Sequence, residues 1–334
     1  MTSAGRPNLV DLLTFDPRRG EVVLPPAEPS AGHWIGCPSV HHEAERGRFL
    51  MTYRQRRPRG AAADRGWRCA IATSTDGRAF TDIWSVTKDQ LGTASMERFA
   101  LTADPAGGWL LYLSSVDPVD NRWRIDVLRA DEPDRFDIAT RTAVLTADRT
   151  GTEGVKDPYP MWVDGVLHLY VSYAAAETIG DDNRARAHAD ADVYVTGLTT
   201  FPTGLATSTD GVSFDFRPDA LPVGAGWDRY QARITTVLTT PDGYLAYYDG
   251  SAAAAENYEE TTGVAVSTDL ATWRSLTPDG PLLVSPHASG SLRYADAVPV
   301  DDDIVVFYEY ARPDGAHELR LNRLAGPAAT SATR

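Results

Sequence analysis

Glu97, Asp157 and Asp296 are carboxylates that a repeating sequence pattern carries to corresponding places along the chain. Two carboxylates facing each other across a sugar can divide acid and base work, because their surroundings can keep one protonated and the other ionised. These three are the predicted catalytic groups. Arg98, Arg233 and Arg293 stand close to them, so a plainer alternative stays open in which the carboxylates cap turns or form ion pairs. The three arginines, with Cys37, Tyr230, Gln231 and Tyr294, fall at the same points of the pattern and are predicted to bind substrate. Aromatic side chains at such points stack on a sugar ring or pack between sheets. Tyr230 and Tyr294 are assigned to the ligand and Trp162 to the core. His287 precedes the last of these points and is placed in the same site, as a proton donor or as a loop histidine bonded to backbone.

The elements that must position these groups are short strands. Candidate inner strands begin near Cys37, Glu97, Asp157, Gln231 and Asp296, in steps of 60, 60, 74 and 65 residues. Each is followed by a second strand rich in aromatics, at 48–54, 109–114, 166–173, 244–250 and 304–310. Third strands are predicted at 69–73, 124–128, 193–198, 263–267 and 318–322. Five repeats of three or four antiparallel strands at so long a period predict an all-β fold, a five-bladed β-propeller of mostly four-stranded blades around a central funnel. No long stretch keeps an apolar period of 3.6 residues without Gly or Pro, so helices should be short or absent. The repeat spans residues 1–334 as one domain, with about 1–30 as a leader that supplies a ring-closing strand and about 325–334 as a flexible tail.

A second repeat marks turns. Ser74-Thr75-Asp76-Gly77, Ser208-Thr209-Asp210-Gly211 and Ser267-Thr268-Asp269-Leu270 follow three of the third strands, and their side chains suit bonding to nearby backbone N–H groups. Asp76, Asp210 and Asp269 are therefore read as turn residues. The net charge of −14 argues against a nucleic-acid partner, even though Arg54, Arg56, Arg57 and Arg59 form a local basic cluster. Residues 1–10 lack the apolar run of a secretory signal and no 18 apolar residues follow one another, which predicts a cytoplasmic chain without a membrane partner. Two cysteines imply neither a disulfide framework nor a zinc site.

With Pro38-Ser39-Val40 opening the first inner strand and Asp157-Pro158 in the third, the chain resembles the five-bladed glycosidase superfamily that includes glycoside hydrolase family 43. That resemblance implies a general-base Asp in the first blade, a supporting Asp in the third and a general-acid Glu in the fourth. Asp157 matches the supporting residue, whereas Cys37 stands in the base position and Gln231 near the acid position. It also implies a calcium site beside a fifth-blade histidine, here His287; no other cofactor is predicted. Tyr53-Arg54, Lys156-Asp157 and Tyr248-Asp249-Gly250 are similar to family 130, the mannoside phosphorylases and hydrolases, whose Glu-Asp-Pro-Arg signature is reduced here to Glu97-Arg98-Phe99-Ala100. The implied function is a glycoside hydrolase-like enzyme that acts on a glycoside or related polyhydroxylated small molecule by general acid/base catalysis. Two alternatives stay open: a glycoside phosphorylase, or a repurposed scaffold serving as a cyclase, lyase, isomerase or ligand-binding protein.

Overall fold

The computed structural model describes residues 9–325. After a leader that carries β1 (Glu21–Leu24), the chain forms four-stranded antiparallel units in sequence order. The first unit is β2 (Trp34–Glu43), β3 (Arg48–Arg57), β4 (Arg65–Ser74) and β5 (Thr81–Thr87). The second is β6 (Met96–Ala103), β7 (Trp109–Val116), β8 (Trp123–Ala130) and β9 (Thr142–Leu145). The third is β10 (Val155–Val163), β11 (Val166–Tyr173), β12 (Thr203–Ser208) and β13 (Asp215–Leu221). The fourth is β14 (Gln231–Thr240), β15 (Gly243–Ser251), β16 (Thr261–Ser267) and β17 (Arg274–Ser275). Last come β18 (Leu292–Val300), β19 (Asp303–Ala311) and β20 (His317–Ala325). The helices are short, as expected: α1 (Lys88–Leu91), α2 (Ala147–Thr150) and α3 (Asp181–His188).

The inner strands β2, β6, β10, β14 and β18 pack each against the next, and β18 returns to β2. This is a β-propeller. Its core lies in the layers between units, where β-branched, Leu and aromatic side chains of neighbouring sheets interdigitate. Leu110 and Tyr112 meet Leu167 and Leu169 between the second and third units, and Tyr170 meets Ile234 and Val237 between the third and fourth. Each fully buried side chain of this kind contributes about 1.5–3 kcal/mol.

The leader adds the outer strand of the last unit, pairing β1 antiparallel with β20 and so covering the edge of β20. Leu13 is buried beside it and its carbonyl accepts from the Tyr247 hydroxyl at 2.6 Å. Val23 is the buried residue of β1. Val23→Asp should therefore cost about 2 kcal/mol, the expense of forcing a charge into an apolar layer, read as a lowered melting temperature. The expected tail lies outside the described residues apart from Ala325, as does the start of the leader.

One predicted strand is corrected. Residues 193–198 are not the third strand of their unit: Val193–Val195 forms a turn of 3-10 helix, and the strand is β12, ten residues later. The apolar run misled because Val193 and Tyr194 are buried for another reason. They pack with Trp123, Ile179, Ala187, Phe201 and Tyr230 in a cluster that anchors the 174–202 insertion over the upper end of the propeller. The 74-residue step had already set this unit apart.

The turn repeats are built as expected. Asp76 Oδ1 accepts from the backbone of Arg78 and Ala79, Asp210 Oδ1 from Val212 and Ser213, and Asp269 Oδ1 from Ala271 and Thr272. Those N–H bonds hold the Asp76 carboxyl down at about 2.

Candidate active site in the propeller funnel

The inner strands start at Trp34, Met96, Val155, Gln231 and Leu292, within four residues of the predicted points. Each carries a break in pairing register near its start, at Gly36/Ser39, Met96/Phe99, Lys156/Tyr159, Ile234/Thr236 and Arg293/Asp296. At three of these breaks the residue is left-handed: Cys37 (φ 53°), Asp157 (φ 59°) and Tyr294 (φ 52°). Non-glycine residues rarely hold this conformation, which clusters at functional sites. The kink brings Cys37, Glu97, Asp157 and Tyr294 together at the upper end of the axis.

There they join charges from the second strands. Arg54, Asp249 and Glu309 pair in register with Gly36, Arg233 and Arg293. Arg233 donates to Asp157 Oδ2 and Asp249 Oδ2, each at 2.7 Å. Arg293 donates to Glu260 Oε2 and Glu309 Oε1, each at 2.7 Å. Glu97 lies 3.1 Å from Arg54 Nη1 and accepts from Arg56 Nη1 at 2.8 Å, while Arg54 also reaches Glu309 at 3.2 Å. Gln231 Nε2 donates to Glu260 Oε1 at 3.2 Å. Tyr294 reaches Asp157 through its hydroxyl at 3.4 Å and Asp249 through its backbone N–H. His317 sits between Glu309 and Glu259, with ring nitrogens 2.7 and 3.0 Å from their oxygens.

The electrostatics separate these carboxyls. Burial would raise Glu260, but Arg293 and Arg233 overcome it and hold the group down at about 2. Glu309 is likewise held well below the usual range by Arg293, Arg54 and His317 against the effect of burial. Asp249 goes the other way: burial pushes it up to about 6 in spite of Arg233. Burial also drives the Cys37 thiol up, with its Sγ 3.8 Å from Glu97.

A cover closes the chamber. Tyr194 from the 174–202 insertion, Tyr258 and Trp34 lie over it, with the Arg56 guanidinium 4.0 Å from the Tyr258 ring. Asp192 fastens the cover, accepting from Tyr258 at 2.6 Å and pairing with Arg59 and Arg65. Arg54, Glu97, Lys156, Arg293 and Glu309 are all 0% exposed beneath this cover.

Several predicted residues lie elsewhere. Asp296 is two residues past the kink and turns to the lower side, where it accepts from the Val40 backbone at 2.7 Å and pairs with Arg98. The Arg98 side chain goes the same way, donating to the Thr235 carbonyl at 2.7 Å; only its backbone N–H reaches Asp157. Asp296 instead lines a separate lower cavity of roughly 430 Å³ with Ser39, His41 and Tyr159. Tyr230 packs edge-on to Phe201 and donates to the Tyr194 carbonyl at 2.9 Å, so it supports the cover rather than facing a ligand. His287 stays in its loop against Tyr310. Among the described residues no group of three or more His, Cys, Asp or Glu side chains could hold a metal ion. Trp162 packs with the apolar layer between the second and third units.

Glu260, Glu309 and His317 are not among the predicted site residues, and Asp249 is named only through the family 130 resemblance. A signal for two of them was present: Tyr53-Arg54, Tyr248-Asp249 and Tyr308-Glu309 each put a charge directly after an aromatic at one point of the repeat.

No family model and no curated protein matches the sequence. Solved structures do. A glycoside hydrolase aligns with a TM-score of 0.64 at 16% identity, covering 94% of this chain and 93% of that one. The RS223 β-xylosidase aligns at 0.60 and 12% identity over 92% and 95%. A β-1,2-mannobiose phosphorylase from Listeria innocua aligns at 0.59 and 13% identity over 93% and 96%. In fold, the chain resembles the propeller glycosidase superfamily, hydrolases and phosphorylases alike.

Proposed function

We propose that the chain is a carbohydrate-active, glycoside hydrolase-like enzyme that takes a glycoside or related polyhydroxylated small molecule into the upper chamber and acts on it by general acid/base chemistry. The observation behind this reading is a set of buried polar atoms without hydrogen-bond partners: Lys156 Nζ, Gln231 Oε1, Ser251 Oγ, Trp123 Nε1 and both amide atoms of Asn257. Buried polar groups are nearly always satisfied, and each exception asks for an explanation. A ligand rich in hydroxyls offers donors and acceptors to all of them. Asp157 and Glu97 supply carboxylates, and Asp249, titrating near 6, is suited to exchanging a proton close to neutral pH.

A second reading has its own support. Cys37, its thiol raised by burial, and the neutral amide of Gln231 stand where the resemblance expects a base and an acid, which favours a repurposed, non-hydrolytic enzyme or binding protein. Fold alone does not choose. A panel of aryl glycosides and oligosaccharides, with and without phosphate, separates the cases. Release of reducing sugar without phosphate is the expected result. A strict phosphate requirement makes the protein a phosphorylase, and binding without either reaction leaves the second reading.

A further inference from the structure

Lys156 is the cation of the chamber with no hydrogen-bonded carboxylate. Its side chain is 0% exposed. Nζ has no hydrogen-bond partner among the described residues, and its ion pair with Asp157 spans 3.8 Å. The ammonium rests against aromatic faces instead, 3.8 Å from the Tyr194 ring centroid, 5.1 Å from Tyr258 and 5.3 Å from Trp123. Cation–π contact stabilises such a charge by about 2 kcal/mol when desolvated, yet it uses none of the three N–H donors. The indole N–H of Trp123, whose ring faces the ammonium, is also unpartnered. By contrast, Arg54, Arg56, Arg233 and Arg293 each already hold a carboxylate within 3.2 Å.

We propose that the substrate of this site is a sugar acid, its carboxylate bound by the Lys156 ammonium with the Trp123 N–H as second donor. The inference rests on the carbohydrate reading above and narrows it. Charge balance favours a single negative charge over two. Lys156 and the four arginines face the five carboxylates Glu97, Asp157, Asp249, Glu260 and Glu309, so the unliganded chamber is close to neutral. A monoanion departs from that balance by one charge and a phosphate dianion by two, and an uncompensated buried charge is costly.

Isothermal titration of the full chain with D-glucuronate and D-galacturonate, their methyl esters, glucose, galactose and inorganic phosphate tests this. The free acids should bind at least about tenfold tighter than their esters and the neutral sugars, and Lys156→Met should remove that preference by weakening the acids at least about tenfold more than the neutral sugars. Should Lys156→Met fail to fold, the acid-to-ester comparison on the wild-type protein decides alone. Equal affinity for acids and esters overturns the carboxylate while the sugar site stands. Tight phosphate binding with no preference for the acids assigns the ammonium to phosphate and also overturns it. Binding of none of these compounds removes the sugar site and this inference together.

Discussion

Arg293→Met is expected to destabilise the protein by about 3–5 kcal/mol, because it removes the close cation partner of a buried carboxylate, Glu260. Arg293 is fully buried and holds Glu260 and Glu309 at once. Glu260 would keep the Gln231 amide at 3.2 Å and, as its nearest cation, Arg233 at 3.9 Å, while Glu309 would keep Arg54 and His317. The pH dependence identifies the cause. Glu260 is depressed from 4.5 to about 2, so its contribution is present above its unfolded value near 4.5 and is lost as pH falls toward 2. The gap between wild type and variant in denaturant unfolding should therefore be full at pH 7 and 5 and shrink by pH 3. A gap that stays constant would mean that the loss is packing rather than charge.

Asp157→Asn should separate activity from stability. The amide keeps an acceptor for the Arg98 backbone N–H, and Arg233 keeps Asp249 at 2.7 Å, so the stability cost should be about 1–2 kcal/mol, well short of a stranded charge. Turnover should fall by about 10²–10⁴, the usual size of a lost acid, base or charge-stabilising group. Asp296→Asn is the control: that carboxylate lies on the lower side, bound to Val40 and Arg98, and its loss should leave turnover within a few fold. Steady-state kinetics and thermal melting of both variants check the pair. An Asp157→Asn protein that unfolds, or that keeps full activity, makes Asp157 a structural residue.

The propeller was legible because its determinants are local and repeated. Alternating apolar residues, the Ser-Thr-Asp turns and near-constant spacing recur unit after unit, and strand propensity agrees with them. Residues 193–198 escaped because β-branched and aromatic residues signal burial as readily as strand. The site was legible where a residue lies on the inner-strand kink, as Asp157 and Glu97 do. It was lost where position depends on register. Asp296 is two residues beyond the kink, and in a strand such an offset moves a side chain along the funnel from the upper side to the lower. Glu260 and His317 arrive from a loop and a third strand, and no spacing within the chain announces that they meet Arg293 and Glu309. The arginine partners were anticipated, but their allocation was not: Arg98 pairs with Asp296, whereas Arg233 and Arg293 each bridge two carboxylates.

A crystal structure of the protein with the tightest-binding sugar of the titration panel tests the central claim most directly. The ligand should lie in the upper chamber beneath Tyr194 and Tyr258, with oxygens within hydrogen-bond distance of Lys156, Asp157 and Gln231. A sugar found only in the lower cavity beside Asp296, with the upper chamber closed as it is here, would contradict the account.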